Sequence, residues 1–394
     1  MSEIKKVDQI ECNGKRVICR VDFNCPCENG QVTDDTRIQR ALPTINLLLE
    51  RGAKLILMSH RGRPSGTGFE EEFSLKPVAA RLTEVVNADV VLAKDIIGDD
   101  AKAKAQALQP GQILLLENLR FDKREKKNDP EFARELAGLA DIYVNDAFGT
   151  AHRAHASTAG VPAYLPGYAG FLLSNEVETL GGMLNNPKRP FTAILGGSKV
   201  SDKIKVINSL IDKCDNLIIC GGMAYTFLAS QGIETGKSIM EADWIDKAKE
   251  MLAKAEAKGV KILLPVDIVV ADDFAADANH YTVDVHEIPA DMEGLDCGEK
   301  TSALFAETIK NSKTIFWNGP AGVFEFDAFA VGTRAIAEAV ADAEGESIIG
   351  GGDSVAAINK YGLADKMTFV STGGGASMEL VQGEALPGVE ALRQ

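Results

Sequence analysis

The 394-residue sequence lacks several features that would assign it to common classes of protein. No apolar run approaches the roughly 18 residues of a membrane span, and the first residues lack the apolar stretch of a signal peptide. No Cys-x-x-Cys pair occurs among the seven cysteines, and Cys25-Pro-Cys27 has no second half to complete a zinc site. The formal net charge is −15, so an excess of positive charge is also lacking. We therefore expect a cytoplasmic protein with free thiols that binds neither membranes nor nucleic acid.

The familiar nucleotide-binding motifs are missing as well. Gly350-x-Gly352 has Val355 where the third glycine of a dinucleotide motif would stand, and Gly232–Ser238 is one residue short of a P-loop. These failures argue against a nicotinamide dehydrogenase, which also needs an acidic ribose-binding residue at a set spacing. Any phosphate site in this chain must therefore be assembled in another way.

Short apolar segments alternate with helical patterns along the whole chain, and the helical pattern after Trp244 stops at Gly259. The predicted strands are Val17–Asp22, Lys54–Met58, Ile113–Leu116, Ile142–Asn145, Phe191–Leu195, Asn216–Cys220, Lys261–Leu264, Thr314–Trp317, Ser347–Ile349 and Met367–Val370. This alternation predicts an α/β fold with mostly parallel sheets covered by helices on both faces. The length exceeds what one hydrophobic core usually supports, so we expect two domains of similar size.

A helix between chain-breaking residues predicts a connector between the domains. Apolar residues from Leu173 to Leu184 fall on one helix face, and Pro166 and Pro187 lie in the flanking turns. The predicted organisation is a domain over residues 1–170, a hinge helix over 171–187 and a domain over 188–379, with a deep cleft between the domains.

Polar and cationic residues follow the predicted strands of the first half. In open α/β sheets, ligands bind beyond the carboxyl ends of the strands. Guanidinium groups match carboxylate and phosphate oxygens with paired hydrogen bonds. One such arginine would be an ordinary surface charge, but four strand ends of the same character predict a cationic basin for a small anion. Its candidate members are His60, Arg63, Arg120 and Arg153, joined by Arg37.

Glycine clusters follow the predicted strands of the second half. A single Gly-Gly pair would indicate only a tight turn, whereas five clusters predict close approach of backbone N–H groups to phosphate. The clusters are Gly196-Gly197, Gly221-Gly222, Gly319, Gly350–Gly352 and Gly373–Gly375.

Two lysines and a carboxylate accompany these clusters. Lys199 and Lys203 are four residues apart, so we expect them on one face near the N-terminus of a helix, with an anion between them. Asp353 follows its cluster directly and is suited to hold the Mg²⁺ of a nucleotide, to cap a helix, or both. A small-anion site opposite a nucleotide site predicts phosphoryl transfer, which depends on positioning and charge neutralisation, with domain closure to exclude water.

Eight stretches, in the same order along the chain, resemble the motifs of the phosphoglycerate kinase family. They are Arg20–Pro26, Ser59–Pro64, Leu116–Phe121, Asn145–Thr158, Ile194–Ile204, Trp317–Glu325, Gly350–Ala356 and Ser371–Glu379. The resemblance implies reversible phosphoryl transfer between 1,3-bisphosphoglycerate and ADP, giving 3-phosphoglycerate and ATP in glycolysis and gluconeogenesis, with Mg²⁺ on the nucleotide. It also implies a monomer whose C-terminal tail, residues 380–394, packs back on the N-terminal domain.

The resemblance further implies two sets of ligand-binding residues. The glycerate would be bound by Asp22, Phe23, Asn24, Arg37, His60, Arg61, Gly62, Arg63, Arg120 and Arg153. The nucleotide would be bound by Lys199, Lys203, Gly294, Leu295, Asn318, Glu325, Gly351, Gly352, Asp353 and Ser354, with Asp353 as the Mg²⁺ ligand. Arg37, Lys203, Gly351 and Gly374 would act on the transferring group.

Two residues depart from the family pattern. Cys25 stands where an aliphatic residue is usual, and we expect little effect because a buried cysteine acts as a small hydrophobe. Arg61 stands where leucine is usual, and whether its side chain joins the basin is left open.

The chemistry of this reaction requires no general base. The nucleophile is an ADP oxygen in one direction and a carboxylate in the other, and neither has a proton to lose at pH 7. His60 is therefore expected to donate a hydrogen bond to substrate. The alternative is a non-catalytic two-domain anion-binding protein, which explains the basin but not the glycine clusters with Lys199 and Lys203.

Overall fold

The computed structural model describes residues 3–393, which form two compact units. The N-terminal unit comprises the chain up to Glu178 together with the chain from Ala385 onward, and the C-terminal unit comprises Thr179–Glu384. Each unit contains a six-stranded parallel sheet accompanied by helices. The predicted α/β fold class with mostly parallel sheets is confirmed. Within residues 3–393, no helix is both long and apolar enough to cross a bilayer.

Within residues 3–393, the N-terminal unit contains eight strands, four complete α-helices, part of a fifth and the short helix Pro387–Glu390. The strands are β1 (Arg16–Arg20), β2 (Cys27–Glu28), β3 (Gln31–Val32), β4 (Lys54–Met58), β5 (Val90–Leu92), β6 (Ile113–Leu115), β7 (Ile142–Asn145) and β8 (Gly167–Ala169). The helices are α1 (Thr36–Glu50), α2 (Lys76–Val85), α3 (Asp99–Ala107), α4 (Pro130–Ala137) and α5 (Phe171–Asn185). The division between the units falls inside α5, between Glu178 and Thr179.

The large sheet of this unit has the strand order β5-β6-β4-β1-β7-β8, and every neighbouring pair is parallel. The four central strands are almost entirely buried, as their near-continuous apolar sequences predict. The two edge strands, β5 and β8, are short and partly exposed, and the sequence pattern did not reveal them. The order places the carboxyl ends of β6, β4, β1 and β7 side by side.

Two helix starts in this unit, those of α4 and α5, are set by side-chain caps. Asp129 accepts hydrogen bonds from the amides of Glu131 and Phe132, so α4 begins at Pro130. The first turn of α5 is capped across the fold by Asp146, which follows β7. Its Oδ1 accepts from the amides of Leu172 at 2.9 Å and Leu173 at 3.3 Å. Burial raises the pKa of Asp146 to about 6.

The C-terminal segment from Ala385 packs on the N-terminal unit through the short helix Pro387–Glu390. The amide of Gly388 donates to the Ala151 carbonyl at 2.8 Å, and Asn145 Nδ2 donates to the Gly388 carbonyl at 3.3 Å. Leu386, Val389 and Leu392 are buried. The segment therefore contacts the loop that follows β7, which carries candidate binding residues.

The C-terminal unit contains nine strands and seven further helices. The strands are β9 (Phe191–Leu195), β10 (Asn216–Ile219), β11 (Lys261–Leu263), β12 (Asp267–Ala271), β13 (His280–Asp284), β14 (Glu293–Cys297), β15 (Thr314–Asn318), β16 (Glu346–Ile349) and β17 (Phe369–Val370). The helices are α6 (Ile204–Ile211), α7 (Met223–Ser230), α8 (Ile245–Ala257), α9 (Glu299–Lys310), α10 (Val331–Asp342), α11 (Gly352–Lys360) and α12 (Gly375–Val381).

The large sheet of the C-terminal unit has the order β11-β10-β9-β15-β16-β17, with all neighbouring pairs parallel. A second, antiparallel sheet of order β13-β12-β14 was not expected from the sequence. Its strand β13 is largely exposed, so it carries none of the apolar pattern by which the buried strands were recognised.

Replacing the capping residue Asp146 tests the start of α5. We expect Asp146→Ala to lower the free energy of unfolding by about 1–2 kcal/mol, because two amides in the first turn of α5 lose their acceptor. Asp146→Asn keeps one carbonyl oxygen and should cost less. The measurement is urea unfolding followed by circular dichroism.

The raised pKa of Asp146 adds a pH dependence to the same experiment. The folded state penalises the ionised carboxylate, so the penalty applies above about pH 6 and is relieved as the pH falls towards 4. The unsubstituted protein should therefore gain stability relative to Asp146→Asn over this range. A stability difference that stays constant from pH 4 to 7 would contradict the raised pKa.

Candidate active site

The cationic basin of the N-terminal unit lies at the carboxyl ends of its four central strands. His60 follows β4 and is buried, Arg120 follows β6 and is buried, and Arg153 follows β7 and is exposed. Arg37 reaches the same region from α1, and Arg153 and Arg37 are electrostatic neighbours of Arg120 and His60 respectively. The structure therefore brings together side chains that are up to 116 residues apart in the sequence, from Arg37 to Arg153.

Hydrogen bonds hold the loops of the basin in place. Asn24 Oδ1 accepts from the Gly62 amide at 2.9 Å, and Arg120 Nη1 donates to the Gly62 carbonyl at 2.8 Å. The loop after β4 is therefore fixed from two sides. Arg37 Nη1 donates to the Asp22 carboxylate, which orients a guanidinium that is otherwise about half exposed.

Arg120 remains a cation despite its burial. Burial is the largest cause that lowers the pKa of Arg120, to about 10, and the nearby charges of Arg20 and Arg153 lower it further. Its guanidinium is still protonated at pH 7. Uncompensated positive charge in a partly dehydrated site is expensive unless an anion arrives, so this part of the structure is prepared for an anionic ligand.

The predicted glycerate-binding residues do not all face the basin. The Phe23 side chain is packed in the core of the N-terminal unit, which leaves only its backbone available to a ligand. Arg61 Nη1 donates to the carbonyls of Glu72 and Ser74, so its guanidinium supports the 72–74 backbone. Arg63 is exposed, one residue beyond Gly62.

The C-terminal unit contains a cavity of about 670 Å³, which we call the glycine-walled cavity. The loops after β9, β10 and β15 form part of its wall. Four predicted nucleotide residues line it, namely Gly294, Leu295, Glu325 and Asp353. The lining also includes glycines at 197, 221, 222 and 322. Its size and mixed lining are those of a small-molecule site.

The glycine clusters allow neighbouring loops to pack closely together, in addition to any contact that they make with a ligand. A Cβ on Gly196 would lie 2.1 Å from the Pro320 carbonyl oxygen, and one on Gly221 would lie 2.8 Å from the Gly197 amide. Only glycine permits these loops to approach so closely. Gly351 has a φ of 87° and directly precedes α11, where it presents the start of that helix. The clusters therefore shape the wall of the cavity, in addition to any contact with phosphate.

Lys203 lies behind the glycine wall. Its Nζ donates to the Gly196 carbonyl at 2.6 Å and to the backbone and side-chain oxygens of Asn318 at 2.9 and 2.5 Å. Burial lowers the pKa of Lys203 to about 8, although Cys220, Asp353 and Asp202 partly oppose that shift. Asp353 therefore lies close enough to Lys203 to influence the pKa of the lysine.

The expected helical pairing of Lys199 with Lys203 is wrong. Helix α6 begins only at Ile204, with Lys203 at its N-cap position, and the preceding residues form turns. Ser201 is held by the Glu241 carboxylate through its amide and hydroxyl, which keeps this segment out of the helix. Lys199 is exposed and does not line the cavity.

Three further predicted residues do not line the cavity. Ser354 is buried, and its Oγ accepts from the Gly319 amide at 2.6 Å, so it fastens the loop after β15. Gly352 is exposed at the start of α11. Gly374 has a φ of 52° and stands at the N-cap of α12, with open space around its Cβ position.

An apolar wall of the cavity was missed by sequence reasoning. It contains Tyr225, Ile239, Phe274, Val323 and Phe326. Ile239 and Phe274 are large apolar residues that remain exposed, and Phe274 contacts Phe326 edge to face at 5.5 Å between ring centroids. Exposed apolar residues beside a cavity indicate a flat organic ligand such as a nucleotide base. Except for Tyr225, which lies in α7, these residues are in loops, where no periodic sequence pattern marks them.

A divalent cation fits this cavity only in company with a ligand. Within residues 3–393, no group of three or more His, Cys, Asp or Glu side chains could hold a metal ion. Asp353, at the start of α11, lines the cavity, as do Glu293 and Glu325. One carboxylate combined with phosphate oxygens and water is a usual environment for Mg²⁺.

A cationic basin and a glycine-walled cavity, each at the carboxyl ends of a parallel sheet, are the features expected of a small-molecule kinase. The family model for phosphoglycerate kinase matches residues 7–384. A phosphoglycerate kinase from Moorella thermoacetica is 56% identical over 385 residues, which are 98% of each chain. The chain belongs to the phosphoglycerate kinase family and is an ATP-dependent phosphotransferase acting on phosphoglycerate.

Solved structures agree with this assignment. The phosphoglycerate kinase structure from Coxiella burnetii has a TM-score of 0.93 and 45% identity, covering 99% of both chains. The phosphoglycerate kinase structure from Pyrococcus horikoshii OT3 has a TM-score of 0.82 and 32% identity, covering 99% of this chain and 98% of the other. The fold is therefore retained where two thirds of the residues differ.

The lowered pKa of Lys203 predicts proton uptake when a nucleotide binds. At pH 8 about half of the Lys203 ammonium is deprotonated, and nearby phosphate charge should raise its pKa again. We expect uptake of about 0.5 proton per ADP at pH 8. The measurement is calorimetry of ADP binding in buffers that differ in ionisation enthalpy. Equal uptake by Lys203→Met would contradict the assignment to Lys203.

Proposed function

We propose that the N-terminal unit binds the glycerate and the C-terminal unit binds the nucleotide in the phosphoglycerate kinase reaction. The observation that carries this division is a difference in chemistry at equivalent places. The strands of the N-terminal sheet are followed by arginine and histidine residues. The strands of the C-terminal sheet are followed by glycines beside an apolar wall. Guanidinium groups suit the carboxylate and phosphate of a glycerate, and the apolar wall suits an adenine.

In the proposed glycerate site, Arg63, Arg120 and Arg153 neutralise the phosphate and carboxylate, while His60 donates a hydrogen bond. The loop bonds from Asn24 and Arg120 to Gly62 support this role, because they preorganise the site before a ligand arrives. Asp22 orients Arg37, which meets the transferring phosphoryl group. Arg61 supports the site through the 72–74 backbone rather than by direct contact.

In the proposed nucleotide site, Gly294 and Leu295 lie against the adenine, and Glu325 accepts hydrogen bonds from ribose hydroxyls. The cavity lining supports all three assignments. Lys199 reaches the phosphates from the exposed turn before α6. Asp353 would hold Mg²⁺, which would neutralise charge on the nucleotide phosphates. The amides at Gly351, Gly352 and Gly374 face charge that develops during transfer.

The proposed mechanism is in-line transfer without a general base. The attacking oxygen is already ionised, so the protein contributes position and charge. Lys203 releases its carbonyl acceptors and follows the phosphoryl group, while Asn318 receives the lysine again afterwards. Because the two ligands bind to different units, transfer requires the units to close around them and exclude water.

We further propose that the protein is a cytoplasmic monomer. Within residues 3–393 all seven cysteines are free thiols, a usage typical of a reducing compartment. Its ligands are small molecules, since a net charge of −15 disfavours contact with nucleic acid.

Lys203→Ala tests the transfer step. We expect kcat to fall about 100-fold or more, because the ammonium stabilises the transferring phosphoryl group more strongly in the transition state than in the bound nucleotide. The dissociation constant for ADP should change less than about fivefold. Steady-state kinetics and calorimetry provide the two values. Lys205→Ala is the matched control, since Lys205 is exposed and paired with Glu384. Equal losses in binding and turnover would sink the assigned role.

Arg120→Ala tests the glycerate site. We expect the KM for 3-phosphoglycerate to rise about 10- to 100-fold through loss of a charge-assisted hydrogen bond, with the KM for ATP nearly unchanged. A coupled assay with 3-phosphoglycerate and MgATP gives both constants. Arg124→Ala is the control in the same unit, because Arg124 is engaged by Asp122. A KM for 3-phosphoglycerate that does not move would refute the proposed basin.

A further inference from the structure

Arg20 is a buried cation that the mechanism above does not use. It ends β1, and only 1% of its surface is exposed. Its guanidinium nitrogens have three partners inside the N-terminal unit. Nε donates to Ser157 Oγ at 2.8 Å, Nη1 donates to the Val21 carbonyl, and Nη2 lies 3.1 Å from His60 Nδ1. A buried charge is costly, so this arrangement calls for a reason beyond packing.

The hydrogen bonds around Arg20 have only one consistent direction. Arginine has no acceptor, so Ser157 Oγ must accept from Arg20 and donate its own proton elsewhere. That proton goes to Glu125 Oε1, 2.5 Å away, and the Ser157 amide donates to Glu125 Oε2 at 3.0 Å. Glu125 is fully buried, and its carboxyl group interacts electrostatically with Arg20. Glu125 thus supplies the negative charge that offsets Arg20 through Ser157.

The same reasoning determines the protonation of His60. Because Arg20 can only donate, His60 Nδ1 must accept, and an accepting nitrogen carries no proton. Burial, assisted by Arg20 and Arg120, also lowers the pKa of His60 well below its ordinary value. His60 is therefore neutral at pH 7 with its only proton on Nε2. The group that remains available to a ligand is an N–H donor.

We propose that Arg20 is a positioning residue for the glycerate site, which holds His60 as the Nε2–H tautomer so that its imidazole donates to an anionic oxygen of the substrate. The inference rests on the proposed role of His60 in glycerate binding. Without Arg20, the neutral imidazole is free to carry its proton on Nδ1. Nε2 would then be an acceptor facing an anionic oxygen, which repels the substrate instead of binding it.

If Arg20 only stabilised the sheet, its removal would leave the protonation of His60 unchanged, as we expect for removal of another arginine in the same strand. Arg16 begins the same strand and forms an ion pair with Asp141 at 2.7 Å, at the end of β1 away from His60. Its loss would disturb the sheet without changing the state of His60. Arg16→Met is therefore the matched control for Arg20→Met, because both remove an engaged guanidinium from β1.

The test begins with the unsubstituted protein, so that it does not depend on the folding of a variant. Nitrogen-15 NMR of protein labelled at histidine reports which ring nitrogen is protonated. The sequence has five histidines, and His60→Ala identifies the His60 signals by their disappearance. We expect a neutral Nε2–H ring at pH 7 without substrate. An imidazolium or an Nδ1–H ring would overturn the proposal.

The second measurement links the tautomer to binding. Arg20→Met should mix the His60 tautomers and raise the KM for 3-phosphoglycerate about tenfold, with kcat and the KM for ATP changed less than about threefold. Arg16→Met should leave the tautomer and all three constants unchanged. A fixed tautomer in Arg20→Met would refute the contact, and a mixed tautomer with unchanged KM would refute its role in positioning.

His60→Ala separates this inference from the proposed function. If that substitution leaves the KM for 3-phosphoglycerate unchanged, the glycerate role of His60 fails, and the positioning role of Arg20 fails with it. The NMR result still decides separately whether Arg20 sets the tautomer. If His60→Ala raises the KM while Arg20→Met does not, only the inference about Arg20 is overturned.

Discussion

Parallel pairing of buried strands is the constraint on which the rest of this structure depends. In the N-terminal unit the order β6-β4-β1-β7 places four carboxyl ends side by side, and Arg20 is opposite both Met58 and Asn145 in the register. Residues far apart in the chain therefore meet at one edge. The C-terminal unit repeats this geometry with β10-β9-β15-β16, and there the edge becomes the glycine wall. The chemistry differs because the loops differ, although both units are built on a six-stranded parallel sheet.

The two sites handle charge in opposite ways. The basin gathers cations whose mutual repulsion is relieved by very few carboxylates, chiefly Asp22 and the buried Glu125. Such a site is stabilised when an anion enters it. The proposed nucleotide site instead holds the Lys203 ammonium against carbonyl oxygens, and burial lowers the pKa of Lys203. A lysine held in this way keeps its carbonyl acceptors until a phosphate oxygen replaces them.

Much of the fold and site could be predicted because buried parallel strands have continuous apolar sequences followed by distinctive loops. Strands β4, β7 and β9 were predicted at the residues where they occur. The antiparallel sheet was not predicted: its strand β13 is exposed and has no apolar pattern, although β12 and β14 are largely buried. The helical pairing of Lys199 with Lys203 failed because Glu241, distant in sequence, holds Ser201 in a turn.

The sequence by itself determined the fold class, the sheet-end chemistry and the family, because these follow from local patterns and short motifs. Tertiary structure alone decided which polar groups satisfy one another. Arg20 reads in the sequence as one more residue after an apolar run, and only the fold brings it against His60, Ser157 and, through Ser157, Glu125. Arg61 likewise looks like a basin residue until its carbonyl partners at 72 and 74 are known. Hydrogen-bond partners depend on distances across the folded chain, and spacing along the chain does not encode those distances.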